Sequence, residues 1–278
     1  MPLPTEPELQ VASLIVGGGR PFTLIAGPCA IESRDHARRH AGAIQEICAK
    51  LGVVLIYKSS FDKANRSSLA SYRGPGMDAG LQILSEIRAD FGLPVTTDLH
   101  LPDQASAVAQ AVDLLQIPAF LCRQTDLLVA AGQTGRPVNV KKGQFMAPKE
   151  MAYAVNKVTE SGGGGAMLTE RGHSFGYQDL IADMRGLPQM RALGVPVCMD
   201  ATHAAQKPGA LDGKTGGDRA VAELLARAGV AVGVDALFLE VHEDPDSAPS
   251  DGPNMIALSR LPAVLATLVA IDRVVKES

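Results

Sequence analysis

Short apolar runs of four to six residues alternate along this chain with longer segments in which apolar residues recur every three or four positions. Eight such runs, at residues 22–26, 53–57, 94–97, 112–117, 137–140, 166–169, 196–199 and 236–239, have the length of buried strands. Residues 34–50, 78–91, 102–111, 125–131, 149–160, 217–228 and 261–275 carry helical spacing between and after them. The runs are apolar throughout rather than alternating, which suits a parallel sheet covered on both faces, and parallel neighbours need a crossover helix. Eight units in 278 residues, close to the roughly 250 usual for the architecture, predict one α/β domain over residues 1–278, a (β/α)8 TIM barrel. Ahead of it, residues 9–16, the turn Gly17, Gly18, Gly19 and residues 22–26 read as strand, turn and strand. The first of these predicts an N-terminal β-hairpin outside the barrel. An open doubly wound sheet is the competitor, but neither a G-x-G-x-x-G after the first strand nor a P-loop is present. The tetraglycine at 162–165 reads as a helix-to-strand linker.

A barrel of this kind places its active site at the carboxyl ends of the strands and in the loops that follow. Reactive residues fall there in every unit: Cys29, Lys58, Asp98 and His100, Gln116 and Arg123, Lys141 and Lys142, Glu170 and Arg171, Asp200 and His203, Glu240 and His242. The loop after the second strand, K-S-S-F-D-K-A-N-R-S-S-L-A-S-Y-R-G-P-G over residues 58–76, is the most distinctive. It interleaves Lys58, Lys63, Arg66 and Arg73 with Ser59, Ser60, Asn65, Ser67 and Ser68. Lysine supplies compact charge, arginine a planar fork, and serine and asparagine short neutral donors, a combination that surrounds phosphate or carboxylate. The competing reading, a solvated surface loop, does not explain why it leaves a buried strand directly.

Composition narrows the partners. A net charge of −4 and the absence of a basic block exclude general nucleic-acid or anionic-membrane binding. Positive charge must therefore be concentrated locally, and Lys58, Lys63, Arg66, Lys141 and Arg171 are enough for small phosphorylated, carboxylated metabolites. No apolar run approaches the roughly 18 residues of a membrane span, and residues 1–10 lack a signal-peptide pattern, so a cytoplasmic protein is expected. Four widely spaced cysteines, with no C-x-x-C pair, predict free thiols.

One thiol, one imidazole and two carboxylates, Cys29, His203, Glu240 and Asp251, form a second group, suited to zinc, iron(II) or manganese. Spacing does not establish it. Taken singly, Cys29 reads first as a buried thiol and Asp251 as a surface residue, and His203 could serve a carbonyl. Glu240 ends an apolar strand, where a carboxylate is costly unless paired or metal-bound.

The motifs I-A-G-P-C-A-I-E-S at 25–33, K-S-S-F-D-K-A-N-R-S-S from 58, T-T-D-L-H at 96–100, Q-I-P-A-F-L-C-R-Q-T-D at 116–126, N-V-K-K-G-Q-F at 139–145, T-E-R-G-H-S-F-G-Y at 169–177 and D-A-T-H at 200–203 follow in one order. In them the chain closely resembles the 3-deoxy-D-manno-octulosonate 8-phosphate synthase family. The resemblance implies condensation of phosphoenolpyruvate with arabinose 5-phosphate and water in lipopolysaccharide precursor synthesis. It places Lys58, Ser60 and Lys63 at the phosphoenolpyruvate carboxylate, Lys141 and Arg171 at its phosphate with Gln116 nearby, and Asn65 and Asp98 at the sugar hydroxyls. It also implies a homotetramer in which Arg66 and Ser67 reach a neighbour's sugar phosphate. Cysteine at position 29 is similar to the metal-requiring members, implying Cys29, His203, Glu240 and Asp251 as ligands. Lys63 or the metal then steadies the aldehyde oxygen. The segment S-D-G-P-N at 250–254 departs from that type and looks more like the loop of metal-free members. The sister family, the 3-deoxy-D-arabino-heptulosonate 7-phosphate synthases, shares G-P-C and D-A-T-H but typically reads K-P-R-T-S where this chain has K-A-N-R-S-S. A non-catalytic phosphosugar-binding barrel is the remaining alternative and predicts binding without turnover.

Overall fold

A computed structural model describes residues 6–66, 68–211 and 214–277. Eight parallel strands close into a barrel: β1 Thr23–Gly27, β2 Val54–Lys58, β3 Val95–Asp98, β4 Leu114–Ile117, β5 Val138–Lys141, β6 Ala166–Glu170, β7 Val197–Asp200 and β8 Ala236–His242. Each pairs with the next, and β8 returns to β1 through Ala236↔Thr23 to Glu240↔Gly27. The outer ring is α1 Arg34–Leu51, α2 Met77–Phe91, α3 Ala105–Ala111, α4 Thr125–Gln133, α5 Met151–Thr159, α6 Gly186–Arg191, α7 Arg219–Val232 and α8 Leu261–Lys276. The barrel expected from the apolar pattern is therefore present, each strand starting within two residues of its expected position.

Local chemistry explains the helix starts that were legible. Ser33 caps α1 by accepting from His36 N at 3.1 Å, and Asp218 caps α7 by accepting from Ala220 N at 2.8 Å. Left-handed glycines, Gly52 and Gly92, end α1 and α2. No helix among the described residues is long and apolar enough to cross a membrane.

The N-terminal β-hairpin expected ahead of the barrel is present. Glu8–Val11 pairs with Leu14–Gly17, and Ala12 turns the chain at φ 50°. Its inner residues Leu9, Val11 and Val16 pack on Ile25, Ile56, Leu114, Met167, Cys198, Ala236 and Phe238, stoppering the amino-terminal end of the barrel. The outer layer between strands and helices forms the larger core, centred on residues such as Leu24, Tyr57, Leu84, Val140, Leu168 and Leu265. Three buried carboxylates serve backbone at the stoppered end: Asp272 accepts from Phe22 N at 3.0 Å, Asp113 from Val95 N at 3.1 Å, and Asp235 from Val197 N at 2.8 Å.

Candidate active site

Each functional side chain owes its place to the end of a strand. At the open end, β1 and β2 approach so closely that a Cβ on Gly27 would lie 2.0 Å from Lys58 O. The chains beyond them stay joined, since Ser60 N donates to Cys29 O at 3.2 Å and Ile31 N to Ser60 O at 3.0 Å. The cationic loop then closes on itself: Lys63 N donates to Arg73 O at 2.7 Å and Gly76 N to Phe61 O at 3.2 Å. Gly74, at φ 119°, permits that closure, because a Cβ there would meet Phe61 O at 2.4 Å.

Lys58, Asp98, Lys141, Arg171 and His203 line one cavity of about 220 Å³ together with Lys63 and Asn65. An adjoining cavity of about 430 Å³ shares Lys63, Asn65, Arg171 and His203 and adds Arg66, Gln206 and the loop from Pro245 to Pro253. The convergence of lysines and arginines at one mouth, on which the sequence reading depends, is thus present.

Polar side chains form a belt across neighbouring strands. Ser60 Oγ and Gln116 Nε2 donate to the two oxygens of Asp98. Asn139 Nδ2 donates to Gln116 Oε1 at 3.4 Å, and Thr169 Oγ1 to Asn139 Oδ1 at 2.6 Å. Lys58 Nζ donates to Cys29 O at 3.2 Å and to Glu240 Oε1 at 3.4 Å, with Asp98 Oδ2 at 3.9 Å. Lys141 Nζ donates to Asp200 Oδ2 at 2.7 Å and lies 3.9 Å from the centre of the Phe238 ring, over which Lys58 also stands. Burial opposes ionisation of Asp98, yet Lys58, Lys63 and Lys141 hold its carboxyl far below the usual range. Asp200 is held down in the same way by His203 and Lys141, against burial.

Arg171 is the exception to this pairing. It is 6% exposed, donates through Nη2 to the neutral Gln206 Oε1 at 2.8 Å, and leaves Nη1 buried without a hydrogen-bond partner among the described residues. Burial lowers its pKa, with Asp200, Asp251 and Glu170 offsetting only part. A buried fork without a carboxylate partner is a seat for an anion from outside.

Cys29, Glu240 and Asp251 place their ligand atoms within 4.8 Å of one another. Cys29 Sγ lies 3.2 Å from Asp251 Oδ2, and His203 Nε2 lies 3.5 Å from Glu240 Oε1. His203 Nδ1 is tied to Asp200 at 2.8 Å, which fixes the ring as second partners do in metal sites. Glu240 Oε2 is buried without a hydrogen-bond partner among the described residues. That orphaned oxygen and the mixed donor set fit a borderline divalent ion. Burial first, then Glu240 and Asp251, push the Cys29 thiol up. Lys63 Nζ stands 3.9 Å from both Glu240 Oε1 and Asp251 Oδ2. Burial opposes its charge, but Cys29, Glu240, Asp251 and Asp98 hold its pKa well above the ordinary value.

Asp251, which composition reads first as a surface residue, is folded inward. Its side chain is 8% exposed, with backbone φ 53° at the head of the turn Gly252–Asn254, and Oδ1 accepts from Gln206 Nε2 at 2.9 Å. Arg66 lies against its own chain, donating to Ser250 Oγ at 2.5 Å and Pro249 O at 3.1 Å. Ser67 lies outside the described residues. Arg123 is exposed, Lys142 pairs with Glu170 at 3.5 Å behind the wall, and His242 joins a separate histidine cluster, so these strand-end residues are not brought to the mouth. All four cysteines are free and buried, as expected. Sequence reasoning missed Gln144, which lines both cavities with its side-chain oxygen unpartnered, and Gln206. Gln144 sits inside a quoted motif, three residues past β5; Gln206 follows D-A-T-H, and only the fold brings it to Arg171.

A closed parallel barrel with a cationic, partly unpaired mouth defines the class: a barrel enzyme acting on small anionic substrates. The chain belongs to the DAHP synthetase I family, whose model matches residues 5–277. It is similar to the 2-dehydro-3-deoxyphosphooctonate aldolases of Brucella ovis and Brucella melitensis biotype 1, each 56% identical over 268 residues, 96% of this chain and 97% of theirs. The Brucella abortus (strain 2308) protein of the same name is 55% identical over the same span.

Proposed function

We propose that this protein condenses phosphoenolpyruvate with D-arabinose 5-phosphate and water, giving 3-deoxy-D-manno-octulosonate 8-phosphate and inorganic phosphate for lipopolysaccharide precursors. The near-full-length match to proteins named for this product carries the reading, and the paired cation-lined cavities support it. In this reading Lys58, Ser60 and Lys63 face the phosphoenolpyruvate carboxylate, and Arg171 and Lys141 its phosphate, with Gln116 alongside. Arg171 supports the phosphate assignment best, since its Nη1 has no internal partner. Asn65 and Asp98 address the sugar hydroxyls; Asp98 arrives ionised and aligned by Ser60 and Gln116.

The C2=C3 pair of phosphoenolpyruvate supplies the electrons. C3 bonds to the sugar aldehyde carbon, whose oxygen takes up the negative charge and then a proton. C2 becomes electron-poor and accepts water, which gives up a proton. The resulting tetrahedral centre expels phosphate with its bridging oxygen and leaves the 2-keto group. Fixed lysines hold both anions in attack geometry, and Lys63, kept protonated beside Glu240 and Asp251, steadies the aldehyde oxygen. Cys29, His203, Glu240 and Asp251 would hold zinc, iron(II) or manganese, which when bound supplies Lewis-acid polarisation of the aldehyde or water. A homotetramer in the cytoplasm, with Arg66 and Ser67 reaching a neighbour's sugar phosphate, completes the proposal for this single barrel domain.

Phosphate release tests the acceptor: arabinose 5-phosphate is expected to support turnover far better than erythrose 4-phosphate. Turnover with the tetrose alone, or none with either, overturns the assignment. Chelation is expected to abolish wild-type activity and divalent ion to restore it, with metal content falling in Cys29→Asn. Chelated wild type as active as untreated enzyme overturns the metal reading.

A further inference from the structure

Outside the mouth, between α1 and the end of β8, three imidazoles and two carboxylates gather that the reaction above does not use. His36 and His40 stand four residues apart on α1, in the sequence H-A-R-R-H, so both project from one face of that helix. Opposite them β8 ends at His242, followed by Glu243, while Glu32 precedes α1. The three rings lie 4.1 to 5.4 Å apart between centroids.

We propose that His36, His40 and Glu243 form a second divalent-cation site, of zinc class, that pins α1 to the end of β8. Their ligand atoms lie within 4.8 Å of one another. His36 Nε2 is 3.2 Å from Glu243 Oε2, close to the separation of about 3.3 Å that tetrahedral zinc bonds of about 2.0–2.1 Å impose on neighbouring ligands. Two histidines at this helical spacing plus a carboxylate are a zinc-type donor set.

Hydrogen bonding argues for a cation here. His40 Nδ1 lies 3.0 Å from His36 O, a carbonyl that only accepts, so Nδ1 carries the proton and Nε2 its lone pair. Glu243 N also lies 3.1 Å from that Nε2, a hydrogen bond to its single lone pair that a bound ion would replace. Yet Glu243 Oε2 stands only 2.5 Å from it, two acceptors face to face. A proton shared between them is the positive centre at this separation, and an ion entering here would take its place and move the pair apart toward the roughly 3.3 Å of two zinc ligands. A carbonyl on the far ring nitrogen is also the usual support for a ligating imidazole. His242 is set apart as support: its Nδ1 accepts from Asp244 N at 3.0 Å, so its Nε2 donates to Glu32 Oε1 at 2.8 Å. His36, only 6% exposed, has no hydrogen-bond partner for Nδ1 among the described residues. Glu243, with 46% of its side chain exposed beside imidazoles at 8% and 2%, offers the entry path.

Zinc content of stripped, reloaded and dialysed protein tests this. Cys29→Ala, which removes a mouth ligand, isolates the proposed site and is expected to retain one zinc per chain. In that background Glu243→Gln and His40→Asn are each expected to weaken zinc binding by about tenfold or more, measured against a chromophoric chelator. Added zinc should also raise the Tm of Cys29→Ala and not that of Cys29→Ala/Glu243→Gln. Because Glu243 is half-exposed and glutamine matches its shape, that variant stays informative if His40→Asn fails to fold. No zinc in Cys29→Ala, or unchanged affinity in Glu243→Gln, overturns the proposal. A zinc lost from Glu243→Gln but kept by Cys29→Ala with equal wild-type content would support this site while overturning the one at the mouth.

Discussion

At the amino-terminal end of the barrel the strands close on Leu9, Val11, Val16, Ile25, Ile56 and Met167, and the buried carboxylates there bind backbone N–H groups. At the carboxyl end the same strands close on Lys58, Lys141, Asp98, Asp200 and Glu240, and the buried carboxylates face ammonium groups. One end is satisfied by its own chain, Asp272 Oδ1 included, which lies 2.9 Å from Lys276 Nζ. The other contains a guanidinium with an unpartnered Nη1, and a carboxylate whose Oε2 has no partner. Binding capacity sits where the protein has not met its own polar demands, because each buried unpaired group costs about 1–3 kcal/mol that a ligand can return. Stability is therefore concentrated at one end and affinity at the other.

Arg171→Ala should show the largest effect. Loss of a preorganised cation is expected to lower kcat/KM for phosphoenolpyruvate by about 100- to 1,000-fold. Thermal stability should hold, since the variant removes a desolvated charge whose side-chain hydrogen bond among the described residues is to Gln206. A large fall in Tm with intact kcat/KM would make Arg171 a structural residue and dissolve the contrast.

The stoppered end should respond in the opposite sense. Met167 is fully buried beneath the hairpin, and Met167→Ala is expected to cost about 2–5 kcal/mol through lost burial and a residual cavity. Urea unfolding reads the loss, while kcat of the folded variant should stay near wild type. Collapse of kcat at full foldedness would show that the mouth depends on the packing below it.

How far the sequence discloses the molecule follows the same division. The apolar runs disclosed every barrel strand, but the expected strands mostly stop short, because Lys58, Asp98, Lys141, Glu170, Asp200 and Glu240 interrupt hydrophobicity without interrupting backbone pairing. Helix α6 escaped because six residues with Pro188 inside carry too little periodicity. The exposed hairpin of His173–Phe175 with Asp179–Ile181 escaped because no buried face imposes a pattern on it, and the pairing of Gln206–Leu211 with Lys214–Gly217 was likewise not read from the sequence. Lys58, Lys141 and Arg171 were legible because a barrel sends every strand end to one mouth. Asp251 was not: a left-handed backbone step carries its carboxylate inward from a loop whose composition reads as surface. The pairing of His36 and His40 is visible in their spacing, but Glu243 meets them only through the closure of β8 beside α1.

Acid titration separates the two ends by sign. Asp98, held far below its ordinary value of about 3.9 by the lysines around it, contributes stability that is complete above that value. The contribution is lost as pH falls below about 4 toward the depressed folded value, since the unfolded chain takes up the proton first. Asp235 at the other end moves oppositely: burial raises its pKa, with Arg191 at 3.0 Å and Val197 N offsetting only part. Here the folded chain takes up the proton first, so acidification from neutrality toward about pH 4 relieves a penalty and adds stability, about 1.4 kcal/mol for each unit of difference. Urea unfolding across pH is expected to show a shallower acid loss in Asp98→Asn below about pH 4. Asp235→Asn should compare best with wild type near neutrality, its standing falling as pH drops to about 4. Parallel pH profiles for the two variants would mean that the carboxylates at both ends sit in equivalent environments, and the division of labour along the strands would have no electrostatic basis.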